Sequence, residues 1–349
     1  MIVINARFLN QKITGVQRFS LELSKRLKNH YGDEIEFVTH PGIIHEELAV
    51  ELCAKVIGVN QSHLWEQLDL YYYLLRKKRP LLISFGYTGP LFYKKQIISV
   101  HDMAFKLYKD TFSKGFAFVY NFLVPIVSQK CLHVFTVSEA AKKEVTKELK
   151  ISKAKVTVIY NGLSEVFKQK VDKDQELLHD HFILTVSSHH PRKNYKRLIK
   201  AFSKIEDSNL KLLVIGNKIS HFSDDVDPES SGMDRRVFFL SNITDEELVR
   251  YYENALLFVF PSLYEGFGIP VIEAMSRGKT CVLSDIPVFK EIGDNQVIYV
   301  NPLDVDSIKN GIENGLKIKK LKNEYHKLSE FDWDNSAHKV IDIIEKYMG

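Results

Sequence analysis

Short apolar runs alternate with amphipathic helical patterns through the first half of the chain. Such runs, bounded by turn residues, are typical of buried strands, and apolar positions every three or four residues are typical of helices with one buried face. The predicted strands are IVIN at 2–5, EIEFVTH at 34–40, PLLISFG at 80–86, QIISVHD at 96–102, VFTVS at 134–138 and KVTVIYNG at 155–162. The predicted helices lie at 16–30, near 63–78, near 115–130 and at 139–149, the last with Ser138 as its expected N-cap.

The pattern changes at residues 163–181, which are polar and strongly charged, and we expect a linker there. Beyond this segment the alternation of strands and helices restarts. The predicted strands are FILTVSS at 182–188, KLLVIGN at 211–217, VFFLS at 237–241, LLFVFPS at 256–262, TCVLSD at 280–285 and VIYVN at 297–301. The predicted helices lie at 194–205, 244–254 and 270–277, with another from about 304.

Regular alternation of strands and helices predicts parallel sheets that are covered by helices on both faces. Two such runs in 349 residues predict an α/β protein of two doubly wound, Rossmann-like domains, over residues 1–165 and 166–330. Open sheets of this kind bind ligands beyond the carboxyl ends of their strands, so two of them facing each other would line a central cleft.

Charge is distributed unevenly along the chain, although the net charge is only +4. Residues 1–165 hold 23 Lys and Arg against 15 Asp and Glu, a balance of +8, which leaves −4 for the remainder. The basic half could face an anionic partner, such as a membrane, a phosphorylated acceptor or nucleic acid.

Neither cysteine usage nor hydropathy indicates a secreted or membrane-spanning protein. The three cysteines are widely spaced and form no C-x-x-C pair, which fits a reducing compartment. Arg7 interrupts the start of the chain where a signal peptide needs an apolar run. The apolar stretch 116–127 is too short to span a bilayer and contains Asn121 and Pro125. We therefore expect a cytoplasmic protein without a transmembrane segment.

The stretch PSLYEGFGIPVIEAMSRGKTCVLSD, residues 261–285, places two carboxylates around a glycine-rich bend. Glu265 falls in the loop after a predicted strand and Glu273 in what should be the first turn of the following helix. The amides of Gly268 and Ile269 would open that helix, where an anion is favoured. Carboxylates accept two hydrogen bonds from vicinal hydroxyls, so the pair suits a nucleotide sugar. The alternative is that Glu273 only complements the helix N-terminus and that Glu265 is solvated.

The stretch VSSHHPRKNYKRLIKAF, residues 186–202, also follows a strand and opens a helix. Arg192 and Lys193 fall in the connecting loop, with Asn194 as the expected helix cap. Paired cations there suit a diphosphate, and a solvated basic loop is the alternative. His189 and His190 suggest a metal ligand set, but no third ligand lies at a fixed spacing, so we expect solvated histidines and no metal site.

Two further candidates lie in the first half of the chain. Gly15 in ITGVQRF precedes a helix, where a glycine lets the backbone approach a ligand, but the G-x-G-x-x-G spacing of a dinucleotide fingerprint is absent. His101 and Asp102 in SVHDMAF lie at a strand end, where the histidine could contact a sugar or move a proton. A structural His–Asp pair is the alternative.

Together these motifs resemble family 4 of the glycosyltransferases, which are retaining enzymes of the glycosyltransferase B architecture. The resemblance spans nearly the whole chain and is strongest to the branch that builds bacterial surface polysaccharides such as O-antigen, lipopolysaccharide and capsule. It is carried by HLWEQLDL, GYTGPL, SVHDMAF, TVSEAAKKEV, VIYNG, HPRKNYKRLIKAF, TDEELVRYYENALLFVFPS and YEGFGIPVIEAMSRG, in the order that the family shows. The terminal FDWDNSAHKVIDIIEKY resembles the family's last helix, so residues 331–349 are expected to cross back to the first domain.

The resemblance implies a role for each candidate residue. Arg192 and Lys193 would hold the donor diphosphate, Glu265 the donor sugar and Glu273 the ribose, while Gly268, Ile269, Phe267 and Ser188 would complete the donor site and Gly15 and His101 would approach from the acceptor side. The family often has a glycine where this chain has Ser187, which alters the loop near the nucleotide base.

The resemblance also implies a mechanism in which the leaving diphosphate helps to take the acceptor proton, with protein cations in place of a metal and no cofactor. The expected partners are a nucleotide-sugar donor, first GDP-mannose and otherwise a UDP-hexose or dTDP-rhamnose, and a glycan or lipid-linked acceptor. No nucleic-acid partner is expected. A non-catalytic module that binds a membrane or nucleic acid is the alternative from another class, whereas a glycoside hydrolase and a nicotinamide dehydrogenase fit the motifs poorly.

The sequence YYYLLRKKRP at 71–80 places aromatic residues beside four cations, Arg76 to Arg79. This composition suits an anionic bilayer surface, so peripheral attachment at the inner face of the plasma membrane is expected. The alternative is a solvated helix end, because cations also complement a helix C-terminus.

Overall fold

The computed structural model describes residues 1–169, 181–188, 190–216, 234–318 and 325–348. The chain forms two compact domains. The first domain contains residues 1–107, 114–162 and 332–349, and the second contains residues 108–113 and 163–331.

Within the described residues, the first domain contains a parallel sheet of seven strands. The strands are β1 Ile2–Asn5, β2 Ile35–Thr39, β3 Lys55–Val56, β4 Leu81–Ser84, β5 Gln96–Ser99, β6 His133–Thr136 and β7 Val156–Val158, in the order β3-β2-β1-β4-β5-β6-β7. The apolar runs predicted as strands are confirmed, and the two-residue edge strand β3 was not predicted. The chain adds strands outward from β1 to β3 and then returns to the other side of β1 at β4. The strand order therefore reverses between β1 and β4, although all strands are parallel.

Helices cover this sheet. They are α1 Gly15–Tyr31, α2 Glu46–Glu51, α3 Ser62–Trp65, a π-helical turn Glu66–Leu70, α4 Tyr71–Arg76, α5 Ala104–Leu107, α6 Lys114–Lys130 and α7 Glu139–Leu149. The Ser138 side chain accepts a hydrogen bond from the Ala141 amide and caps α7 as predicted. Two buried clusters form the core, one around Val100, Val124 and Val134 and the other around Trp65 and Leu74.

The described part of the second domain contains a six-stranded parallel sheet. Its strands are β8 Phe182–Val186, β9 Lys211–Ile215, β10 Val237–Leu240, β11 Phe258–Phe260, β12 Cys281–Ser284 and β13 Ile298–Val300, in the order β10-β9-β8-β11-β12-β13. Its helices are α8 Tyr195–Ser203, α9 Asp245–Asn254, α10 Ile269–Ser276, α11 Pro287–Gly293 and α12 Val305–Lys317. The two doubly wound parallel sheets confirm the predicted fold class.

The predicted helix at 270–277 is α10, displaced by one residue, and Gly278 follows it with φ of 61°. Because α10 begins at Ile269, Glu273 is its fifth residue and lies beyond the first turn, so the predicted first-turn position was wrong. Helix α11 was not predicted, since seven residues are too few for a helical period to be distinguished from a loop.

Residues 170–180 of the predicted linker lie outside the described residues. The part that precedes them packs on the second domain, because Phe167 is buried and Arg277 donates hydrogen bonds to the carbonyl oxygens of Val166 and Gln169. The last helix, α13 Trp333–Met348, belongs to the first domain. Its buried Trp333 contacts the ring of Phe19 and the backbone of Gly162, where a side chain would clash with the indole.

Candidate functional site

The candidate site of the second domain lies where the strand order of its sheet reverses, between β8 and β11. From β8 the chain moves outward through β9 and β10, and it returns to the other side of β8 at β11. The loops after β8 and β11 therefore leave neighbouring strands toward opposite sides. The crevice between such loops is the usual ligand site of an open α/β sheet. Both motifs that the sequence singled out in this half of the chain are these two loops.

The loop after β8 is fixed at its start. The Ser187 amide donates to the carbonyl oxygen of Ile215 at 2.9 Å, and the buried Tyr195 hydroxyl donates to the Ser187 carbonyl oxygen at 2.7 Å. Ser188 follows and is half-buried. A single 3₁₀ turn, Pro191–Lys193, then carries both predicted cations.

Asn194 ends this turn and holds three loops together. Its backbone is left-handed, with φ of 63°, a conformation that asparagine tolerates better than most residues. Its side-chain amide donates to the carbonyl oxygen of Pro261 at 3.0 Å, in the loop after β11, and to that of Pro302 at 2.7 Å, in the loop after β13. Asn194 is the N-cap of α8 as predicted, but its side chain makes no capping hydrogen bond and bridges the loops instead.

The loop after β11 leads directly into α10 and places main-chain amides at the start of that helix. Gly268 is the N-cap with φ of 123°, and a Cβ atom there would lie 2.9 Å from the Phe289 ring. Glycine is thus required both by conformation and by space. The Phe267 side chain is buried edge-on against Phe331. The amides at 268 and 269 open the helix, as the sequence predicted.

Lys193 and Glu265 meet across the two loops. The Nζ atom of Lys193 lies 2.6 Å from Oε1 of Glu265, and the two side chains are 13% and 10% exposed. Lys193 also lies over the Phe260 ring, with Nζ 5.2 Å from its centroid. Neither residue is solvated, so the alternatives of a solvated Glu265 and a solvated basic loop do not describe this site. In the structure, Lys193, which was predicted to bind the diphosphate, forms an ion pair with Glu265, which was predicted to bind the sugar.

Arg192 bonds to the same neighbouring loop. Its carbonyl oxygen accepts from the Leu263 amide at 2.7 Å, and its Nη1 atom donates to the Tyr264 carbonyl oxygen at 3.4 Å. Its guanidinium lies 5.9 Å from the centroid of the Tyr264 ring. Among the described residues, the buried Nε atom has no hydrogen-bond partner. Buried donors are usually satisfied, so Nε of Arg192 can take one more acceptor, although Nε of the structural Arg277 lacks a partner among these residues as well.

Glu273 is buried on α10 and is held by α9. The Tyr252 hydroxyl donates to its Oε2 atom at 3.0 Å. Burial, followed by the nearby Glu273 charge, raises the pKa of Tyr252 well above its usual value, so the phenol stays a donor. The alternative in which Glu273 merely complements the helix N-terminus fits neither its position in the second turn nor this contact. No motif in the sequence pointed to Tyr252, which lies in the apolar periodicity of α9.

His190 was expected to be solvated, and this was wrong. Its side chain is buried, and its Nδ1 atom accepts from the Arg192 amide at 3.2 Å. Burial, followed by the charges of Arg192 and Lys193, lowers its pKa to about 3, so the imidazole is neutral at pH 7. His189 lies outside the described residues. Across the residues that are described, His, Cys, Asp and Glu form no group of three that could hold a metal ion.

The two first-domain candidates lie at different places. His101 follows β5 and is buried, and its Nε2–H donates to the Phe85 carbonyl oxygen at 2.8 Å. Burial lowers the pKa of His101, so this ring is also neutral near pH 7. Asp102 accepts a hydrogen bond from the Ala104 amide. Gly15 is the exposed first residue of α1, and its predicted approach to a ligand stays a prediction.

The basic cluster of the first domain is fully at the surface. Arg76 ends α4, and all four cations from Arg76 to Arg79 are exposed. On α6, Phe118 and Phe122 are 75% and 55% exposed. None of the helices in the described part of the chain is long and apolar enough to cross a membrane.

Comparisons with known proteins agree with this picture. Residues 166–331 match the family described as glycosyl transferases group 1, and residues 13–165 match glycosyltransferase family 4. The chain is 28% identical, over 97% of its length, to the O-antigen chain mannosyltransferase RfbU of Salmonella typhimurium, of which it covers 98%. It is 31% identical over 60% of its length to the serotype-specific mannosyltransferase WbdA of Escherichia coli, of which it covers only 28%. Its fold is similar to that of Anabaena HepE in complex with UDP-glucose, with a TM-score of 0.76, 16% identity and 99% of both chains covered.

Proposed function

Since the chain belongs to the family 4 glycosyltransferases, we propose that it transfers a hexose, with mannose the first choice, from a nucleotide sugar to a glycan or lipid-linked acceptor, with retention of configuration. The product would be a bacterial surface polysaccharide such as O-antigen. The mannosyltransferase names of its relatives from Salmonella typhimurium and Escherichia coli support the sugar and the pathway. GDP-mannose is the expected donor, and a UDP-hexose or dTDP-rhamnose is the alternative.

The proposal depends mainly on the charged residues that gather between β8 and β11, where the strand order of the second sheet reverses. A cation pair, a carboxylate and the N-terminus of α10 come from the two loops that flank this point. Arg192 and Lys193 would bind the diphosphate, Glu265 the sugar hydroxyls and Glu273 the ribose. The unpartnered Nε of Arg192 supports the diphosphate role, because a phosphate oxygen would satisfy it.

During transfer, the bond between the anomeric carbon and the diphosphate oxygen breaks while the bond to the acceptor oxygen forms on the same face. The acceptor proton passes to the departing diphosphate. Negative charge therefore grows on the diphosphate, and the Arg192 and Lys193 cations would stabilise it electrostatically. These cations can fill the role that a divalent metal has in other glycosyltransferases, so we propose a metal-independent reaction.

Thermal unfolding in the presence of nucleotide sugars tests the donor. A ligand at 100 times its Kd stabilises a protein by about 2.7 kcal/mol, which corresponds to roughly 5–10 °C for a domain of this size. We expect this shift with GDP-mannose and a smaller one with UDP-glucose or dTDP-rhamnose. A larger shift with either of the other two would reassign the donor. No shift with any of them, together with no release of nucleotide, would overturn the proposed function.

Peripheral attachment to an anionic membrane is the second part of the proposal. Its support is the exposure of residues 76–79, since each cation near an anionic surface is worth about 1 kcal/mol. The exposed Phe118 and Phe122 of the same domain would add apolar contact.

A further inference from the structure

A buried polar cluster lies at the carboxyl ends of β1 and β4, where the strand order of the first-domain sheet reverses. Asn5 is the last residue of β1 and Ser84 is the last residue of β4, and the Asn5 side-chain amide donates to Ser84 Oγ at 3.3 Å. By the rule that located the site of the second domain, this is the position at which the first sheet should bind a ligand. The motifs HLWEQLDL and GYTGPL, to which no role has yet been given, both contribute to it.

Glu66 is the centre of this cluster, and its side chain is 1% exposed. Oε1 accepts from the Asn5 amide at 2.9 Å, and Oε2 accepts from the Thr88 hydroxyl at 2.8 Å. Oε2 also lies 3.4 Å from Arg7 Nη1 and 3.1 Å from His63 Nδ1. Burial alone would raise the pKa of Glu66, but the Arg7 charge and these hydrogen bonds outweigh burial and lower the pKa to about 2. The carboxylate is therefore ionised and fixed.

The charges in the cluster cancel. Arg7 is the cation that faces Glu66, and its side chain is 9% exposed, so solvent does little to screen the pair. A phosphate would have to compete with the carboxylate for the same guanidinium. In the second domain, Arg192 adds a cation beyond the Lys193–Glu265 pair, whereas the Arg7–Glu66 pair here leaves no net positive charge. This cluster therefore favours a neutral, hydrogen-bonding ligand over an anion.

His63 is the member of the cluster that reaches the surface, with a side chain that is 27% exposed. Its Nδ1 atom lies 3.1 Å from a donor, Arg7 Nη1, and 3.1 Å from an acceptor, Glu66 Oε2. If Nδ1–H donates to Glu66, Nε2 is an acceptor, and if Nδ1 accepts from Arg7, Nε2–H is a donor. None of the described residues hydrogen-bonds Nε2. Nε2 can thus take either role, which suits a hydroxyl, a group that both donates and accepts.

Half-buried aromatic rings adjoin this histidine. The Tyr120 ring lies edge-on to His63, with centroids 5.6 Å apart, stacks on Phe116 at 3.9 Å and contacts Tyr87 at 5.7 Å. Aromatic walls with a few convergent polar groups are typical of small-molecule sites. A pyranose presents both an apolar C–H face and a rim of hydroxyls, so it matches this combination.

The backbone that carries His63 is irregular. Ser62, just before it, has φ of 53°, and the helix that follows contains the π-helical turn that begins at Glu66. Strained backbone and single π turns cluster at functional sites, because regular structure would not aim the side chains correctly.

From these observations we infer that His63 hydrogen-bonds a hydroxyl of the acceptor sugar through Nε2, and that Arg7 and Glu66 are positioning residues that orient its ring. The inference rests on the proposed function and names the acceptor subsite within the first domain. It assigns that subsite to neutral sugar hydroxyls rather than to a phosphate.

Two substitutions at position 63 separate ligand contact from a structural role. The amide of His63→Asn takes roughly the place of Nδ1, so it keeps the contacts to Arg7 and Glu66 and lacks Nε2. The amide of His63→Gln takes roughly the place of Nε2. His338→Ala, at an exposed position on α13 of the same domain, is the matched control. Methyl glycosides of mannose, galactose, glucose and rhamnose serve as acceptor probes, and the readout is donor turnover with glycoside divided by turnover with water alone.

We expect this ratio to fall about tenfold in His63→Asn, since one hydrogen bond to the probe is lost. His63→Gln should keep most of it, and His338→Ala should match the parent. Retention of the ratio in His63→Asn with loss in His63→Gln would assign His63 a structural role and overturn the inference. So would the lack of any glycoside-dependent turnover in a parent protein that hydrolyses donor. A parent that releases no nucleotide with or without glycoside, and that shows no thermal shift with any of the nucleotide sugars, would instead overturn the proposed function.

Discussion

Replacing Lys193 by Met removes one cation from the candidate diphosphate site and leaves the rest of the side chain in place. Its Nζ atom lies over the Phe260 ring, so methionine fills a similar volume but also loses this cation–π contact. What is lost is the partner of Glu265, whose Oε1 atom lies 2.6 Å from Nζ in a pair that is 13% and 10% exposed. Removing one member of a buried pair costs about 3–5 kcal/mol, because the other charge stays behind. At roughly 2–4 °C per kcal/mol, Tm should fall by about 6–20 °C.

Turnover should fall about a hundredfold, or about 2.7 kcal/mol, as for the loss of one transition-state donor. Differential scanning calorimetry and nucleotide release measure the two effects on one preparation. The double variant Lys193→Met/Glu265→Gln should regain most of the lost stability, since no buried charge is left, but it should stay slow.

Lys204→Met is the matched control, because Lys204 pairs with Asp306 at the same 2.6 Å in the same domain, with side chains 52% and 64% exposed. An exposed pair contributes only about 0–1 kcal/mol, so this variant should be nearly as stable and active as the parent. Equal losses of Tm in the two lysine variants would refute the role of burial. Turnover of Lys193→Met within a factor of two of the parent would refute its diphosphate role.

The remaining predictions concern the metal, the two glutamates, the membrane and pH. Excess chelator should leave the initial rate of transfer nearly intact, and a loss that magnesium or manganese restores would show that the cations do not suffice. In calorimetric titrations, Glu273→Gln should weaken donor and free nucleotide alike, whereas Glu265→Gln should spare the nucleotide and impair transfer; the opposite pattern would exchange the two roles. Sedimentation with anionic vesicles should fall with salt and after neutralisation of residues 76–79, and equal binding of the neutralised variant at low salt would exclude that cluster. Because the pKa of Glu66 is lowered from 4.5 to about 2 on folding, its ionisation should stabilise the first domain above about pH 4.5 and lose about 3 kcal/mol as pH falls toward 2, and urea unfolding of Glu66→Gln should lack this component.

Periodicity was sufficient for the sheets, because strands such as β8 and β9 are mostly apolar runs that are buried on both faces over nearly their whole length. It also located α9, whose N-terminus has the capping box formed by Thr244 and Glu247. Short elements escaped prediction, since α2, β3 and α11 span too few residues to show a period. The loops after β8 and β11 could be identified from their motifs, because their charged and polar residues come directly after apolar strands.

Pairings between distant residues could not be predicted in this way. Lys193 and Glu265 are 72 positions apart, and only the strand order places their loops side by side. The cluster around Glu66 shows the same limit, because Asn5 and Thr88 are separated from it by 61 and 22 positions. Local sequence directed attention to His101 in the first domain, whereas the reversal point of the sheet lies at another pair of strands. Strand order is a property of the folded sheet, and it cannot be read from a single sequence.

The bridge made by Asn194 has a consequence for how this site can be altered. Both of its acceptors, at Pro261 and Pro302, are main-chain carbonyl oxygens, which every residue type possesses. Side chains around the crevice can therefore be exchanged while the frame that holds the three loops is kept. Libraries that vary residues of these loops, with Asn194 and the backbone length preserved, should retain folded members that differ in donor choice. Insertions or deletions in the loops would move the carbonyl groups out of reach, so diversification by substitution is the productive route to new sugar specificity.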